Sequence, residues 1–99
     1  MSYPKDELVV PEAAHGDEHA MELLRIWIAG AGQHVSMRTM AWEDPAHWGH
    51  LLAGLARHIA RTYHDQDGRN IAEAMRCIRR GFEDEVNRPT DEPSARVSA

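Results

Sequence analysis

Histidine is the side chain whose spacing most readily suggests chemistry here, with seven in a chain of 99 residues. His15-Gly16-Asp17-Glu18-His19 has the H-x-x-E-H order in which a helix sets two imidazoles on one face as zinc ligands, with a carboxylate beside them. Gly16 weakens such a helix and no persuasive third ligand follows, so the expected reading is exposed polar residues. His47 and His50 lie three apart, a helical spacing at which both could reach one zinc, copper or nickel ion if a second chain added ligands. Two ligands are not a site, and solvated histidines are the simpler expectation. Asp65-Gln66-Asp67-Gly68-Arg69-Asn70 has the opening of a calcium loop, but its sixth position is Asn70 where glycine is needed, and its twelfth is Arg76 where the bidentate glutamate belongs. A helix-terminating turn explains it better. Cys77, the single cysteine, has Arg76 and Arg80 nearby in sequence, which favours a thiolate, but it has no internal partner for a disulfide.

Two further groupings concern binding more than catalysis. His50, Arg57, Arg61 and His64 form a row on one side of a helical stretch, suited to phosphate or to an acidic partner. A formal net charge of −5 repels phosphate backbones, so nucleic acid is disfavoured, and charged outer faces are ordinary on helices. Arg25, Trp27, His34 and Arg38 fall together on one side of an expected hairpin. A dimer interface, a ligand cleft and plain exposure all fit that cluster; an interface fits best, because an exposed tryptophan without a partner is unusual. No G-x-S-x-G, P-loop or dinucleotide fingerprint occurs, so nucleotide-dependent and serine-hydrolase chemistry have no positive support. The expectation is a non-enzymatic chain with no catalytic residue, cofactor or firm metal site.

Few elements are available to hold these residues. Asp44 to Tyr63 reads as one long helix, since at about 100° per residue Trp48, Leu51, Leu52, Leu55, Ile59 and Tyr63 share a face. Asp44 can accept from the free amides of the first turn, Pro45 suits the first helical position, and Gly68 stands where the helix should end. A second helix begins at the box-like pair Asn70 and Glu73, carries Ile71, Ala74, Met75, Ile78, Phe82 and Val86 on one stripe, and stops at Arg88-Pro89. Upstream, Glu22 to Ala29 and Gln33 to Met40 alternate as strands. A two-residue loop at Gly30-Ala31 pairs Ile26 with Val35 and Leu24 with Met37, whereas a one-residue slip sets Ile26 against His34 or Ser36.

The fold class implied is α+β in ββαα order, a β-hairpin covered on one face by two antiparallel helices. Residues 1–20 are expected to be an irregular N-terminal arm, 21–88 a single domain and 89–99 a disordered tail. A two-stranded sheet is marginal and has unpaired edges, so extension of the sheet by dimerisation is an expected remedy. Gly49, Ala53, Ala56 and Ala60 add a strip of small side chains beside the long helix's apolar stripe. Either the second helix of the same chain or a helix of a partner could approach closely there.

Apolar residues make up 42% of the chain, and no run approaches the roughly 20 residues a transmembrane helix needs. The N-terminus lacks the basic and apolar regions of a secretory signal, which with the lone cysteine points to the cytoplasm. LLRIWIAGAGQHVSMR, then AWEDPAHWGHLLAGLARHIARTY, then AEAMRCIRRGFEDE resemble a small bacterial family, chiefly alphaproteobacterial, that is a domain of unknown function; its distinctive segment W-E-D-P-x-x-W stands here as Trp42 to Trp48. The resemblance spans about residues 8 to 91. It implies an α+β fold and brings no activity, so no site residue is carried over. The function expected is a homodimeric interaction module built on the hairpin and the long helix. The alternative is a small-molecule or metal-binding protein using the outer hairpin face or the His47/His50 pair.

Overall fold

The computed structural model describes residues 6–90 and 94–98; residues 1–5 of the expected arm, and 91–93 and 99 of the expected tail, lie outside them. In chain order the elements are α1 (Glu12–His15), β1 (Leu24–Ala29), β2 (Gly32–Arg38), α2 (Ala46–Asp67), α3 (Ile71–Asn87) and β3 (Ser94–Ser98).

β1 and β2 form the expected hairpin. Gly30 opens its two-residue loop at φ 61°, a left-handed value that a residue without Cβ takes at no steric cost. Only Met40 among the described non-glycine residues has a positive φ, so Ala31 does not. Positive φ at the first loop position alone is the pattern of a type II′ turn, whose twist suits the flanking strands. The register that follows sets Leu24 beside Met37, Ile26 beside Val35 and Trp27 beside His34. One face therefore carries Leu24, Ile26, Ile28, Val35 and Met37, and the other carries Arg25, Trp27, His34, Ser36 and Arg38.

A third strand lies where a disordered tail was expected. β3 pairs with β2 in parallel, with Val35 beside Ala95 and Met37 beside Val97, giving the sheet order β1-β2-β3. Parallel strands need a long crossover between them, and α2 with α3 provides it. Little in residues 94–98 signals this, because such pairing draws on backbone N–H and C=O groups, which every residue but proline has.

Both helix ends of α2 are built from local chemistry. The Asp44 carboxylate accepts the Ala46 amide at 2.9 Å, and Pro45 already has helical dihedrals, φ −56° and ψ −21°. Gly68, at φ 69°, closes the helix by donating its N–H to the His64 carbonyl at 2.8 Å. α3 starts at Asn70, whose side chain accepts the Glu73 amide at 3.0 Å, and ends with the Arg88 N–H on the Asp84 carbonyl at 2.8 Å. Asn70→Ala should cost about 1 kcal/mol of stability through the orphaned amide. Urea unfolding measures this, and Asn70→Asp, which keeps an acceptor, should recover most of it.

The cover expected over the hairpin is not made within the chain. α2 packs on α3, but among the described residues neither helix contacts the sheet. Residues 39–45 connect β2 to α2. Met40 adopts φ 56°, a bend that L-residues rarely take. The indole of Trp42 meets Trp48 edge-on with centroids 5.1 Å apart, and the His47 ring at 5.8 Å. Together with the Asp44 cap, this aromatic clasp fixes the first turn of α2 much as a hydrophobic staple does. The W-E-D-P-x-x-W segment is thus a local structural device at the start of α2.

Candidate interaction surface

Which side of α2 meets α3 decides what remains open. Ala60, fully buried, and Ala74, 4% exposed, are the only buried apolar residues among those described. On a helix turning about 100° per residue, Ala60 lies roughly a third of a turn from the centre of the Leu52, Leu55 and Ile59 stripe. The two alanines are thus the most deeply buried points of the helix pair, and the Leu52, Leu55 and Ile59 stripe is left half-exposed. Leu55 is 43% exposed, and Phe82, on the matching stripe of α3, is 56% exposed.

The small-residue strip divides along its length. Ala60 is taken up by α3 of the same chain and Ala56 is half-buried, whereas Ala53 and Gly49 are exposed. A Cβ built on Gly49 would meet nothing within 4 Å. At its N-terminal end the strip is therefore open among the described residues.

On the sheet, the apolar face is as open as the helices. Ile26 is 49% and Ile28 77% exposed, while Leu24, Val35 and Met37 are half-buried. The opposite face is tied into the chain by polar contacts. Arg25 donates to Glu7 at 2.8 Å and to Glu22 at 3.1 Å, Arg38 donates to the Glu22 carbonyl at 3.2 Å, and a His34 ring nitrogen lies 3.2 Å from the Ala29 carbonyl. Trp27, on the same face, is half-buried. The Glu22 hydrogen bond and charge, with smaller help from the charge and hydrogen bond of Glu7, outweigh partial desolvation and raise the Arg25 pKa above its ordinary value. A raised cationic pKa contributes stability that is complete below the ordinary value and fades only as the solution passes it upward, so Arg25 is no switch near neutrality. Its contact with Glu7 pins the stretch Asp6 to Pro11 beside β1, where the two line an open groove.

The histidine candidates do not converge. The ring centroids of His47 and His50 are 6.4 Å apart and His47 lies against Trp42. Among the described residues no group of three or more His, Cys, Asp or Glu side chains gathers as a metal site. His15 ends the four-residue α1, while Glu18 and His19 lie beyond it, 89% and 88% exposed. Asp65 and Asp67 belong to the last turn of α2 and Gly68 is its cap. Cys77 is exposed, with Arg80 4.0 Å from its sulfur. What sequence reasoning missed is the clasp of Trp42 and His47; the aromatic spacing across Asp44-Pro45 was the signal that could have found it.

Residues 7–90 match the family described as Domain of unknown function (DUF5076). The chain belongs to this family. Over the full length of both chains, this DUF5076 domain is 35% identical, at TM-score 0.72, to a solved structure from the photosynthetic bacterium Rhodopseudomonas palustrus, which is described as a "putative pyruvate dehydrogenase". No curated protein matches it. None of the helices of this DUF5076 domain is long and apolar enough to cross a membrane, among the described residues.

Proposed function

We propose that this DUF5076 domain is a non-enzymatic, homodimeric interaction module that works in the cytoplasm, with the hairpin and α2 forming its self-association surface. One observation carries the reading: among the described residues, apolar faces on both layers stand open and neither helix packs on the sheet. The chain exposes 9058 Å², whereas a compact monomer of 11.2 kDa would expose only about 5,700 Å². Its radius of gyration is 15.7 Å, against about 13 Å for a compact domain of this length. Obligate homodimers bury about 2,000 to 5,000 Å² in total, so the surplus on two such chains is ample for one.

The description attached to the Rhodopseudomonas relative suggests dehydrogenase chemistry. The groove between the arm and β1, however, is lined mainly by aliphatic residues. The geometry favours association over catalysis. Size-exclusion chromatography with light scattering at tens of micromolar should give twice the 11.2 kDa chain mass. A mass of one chain under those conditions would remove the proposal.

A further inference from the structure

Resting on the homodimer reading, the geometry points to a reciprocal arrangement in which the α2–α3 pair of each protomer roofs the apolar sheet face of its partner, so that each hydrophobic core is built from two chains.

Three features of the fold lead there. The first is complementarity between two uncovered surfaces on the same chain. An amphipathic helix pair and a one-sided apolar sheet each need a second layer, and helices on one face of a sheet is a standard solution. Here Leu52, Leu55, Ile59 and Phe82 on the helices, with Ile26 and Ile28 on the sheet, are all more than a third exposed. The surplus surface of two chains is enough to bury both layers.

The second is the connection. A flexible linker would allow α2 to fold back on its own sheet. Residues 39–45 instead combine a left-handed Met40, the Trp42–Trp48 clasp and the Asp44 cap. A short, locally fixed connection that keeps two complementary surfaces apart is the usual setting for exchange between identical chains.

The third concerns the sheet edge, which is the other route for a second copy. Of the sheet's two edge strands, β1 is flanked by the arm that Arg25 holds through Glu7, while β3 keeps an outer edge. Arms and charges of this kind are how sheets obstruct edge-to-edge pairing. Facial contact with the partner's helices is therefore favoured over pairing at the β1 edge.

Cysteine cross-linking of the full chain tests this directly. In a Cys77→Ser background, Ile26→Cys and Ile28→Cys would each be mixed with Leu52→Cys, Leu55→Cys and Ile59→Cys, unfolded and refolded together, and treated with a short bismaleimide. The arrangement predicts covalent dimers in at least one sheet-plus-helix mixture, at several times the yield given by either variant alone. Cross-links confined to helix variants alone would indicate a four-helix contact, and those confined to sheet variants alone a sheet-to-sheet contact; either overturns the arrangement. If none of the six mixtures links while light scattering still gives a dimer, the reciprocal roof is wrong and the homodimer stands. A monomeric mass removes both.

Discussion

Ile28→Asp is expected to weaken self-association at least about a hundredfold, equivalent to roughly 3 kcal/mol, because a carboxylate would be trapped without a partner between two apolar layers. The position is chosen for its contrast. Within one chain Ile28 is 77% exposed, and a polar substitution at such a site ordinarily changes stability by no more than about 0.5 kcal/mol. A single-chain protein should therefore tolerate the change. Sedimentation across a dilution series measures the effect, and a dissociation constant within about threefold of the parent would exclude this face from the interface. Arg61→Asp, on the side of α2 opposite the stripe, should leave association nearly unchanged and serves as a control for net charge.

Leu55→Ala is the second large effect. A leucine left 43% exposed has surrendered roughly half its transfer free energy to folding, so truncation in an isolated chain should cost about 1 kcal/mol. Sealed under a partner's sheet, the same truncation leaves a cavity and should cost about 2 to 5 kcal/mol. Denaturant unfolding at fixed protein concentration separates the two values. The smaller value would mean that the α2 stripe stays wet. The larger, with an unchanged denaturant slope, would mean that it is covered by something outside its own chain.

The elements that were legible in the sequence are those governed by neighbours in the chain. Asp44, Gly68 and Asn70 cap helices because their side chains or dihedrals answer unpaired amides and carbonyls a few residues away. The hairpin register followed from the Gly30-Ala31 loop and the alternation of Leu24, Ile26 and Ile28 against Val35 and Met37. Amphipathic spacing likewise identified the stripe of Leu52, Leu55 and Ile59 as a face that seeks burial. What that spacing does not encode is which chain provides the cover. The expectation that α2 and α3 roof their own hairpin is not met for this reason, and the left-handed Met40 and the contact of Trp42 with Trp48 stand at the turn between sheet and helix.

The small-residue strip illustrates the same boundary. Ala60 meets α3 of its own chain while Gly49 and Ala53 stay open, and nothing in four similar side chains distinguished those fates. β3 was missed because its pairing with β2 spans the whole helical crossover and rests on backbone groups. The outer hairpin face was legible as a cluster of Arg25, Trp27, His34 and Arg38, but the service of Arg25 and Arg38 as ties to Glu7 and Glu22 depended on where the arm and the residues before β1 return.

If two chains complete one core, folding and association are a single event, and stability must depend on how much protein is present. The thermal unfolding midpoint, followed by circular dichroism over a hundredfold range of chain concentration, should climb steadily with concentration. A midpoint that stays constant over that range, with a light-scattering mass of one chain, would contradict the shared core outright.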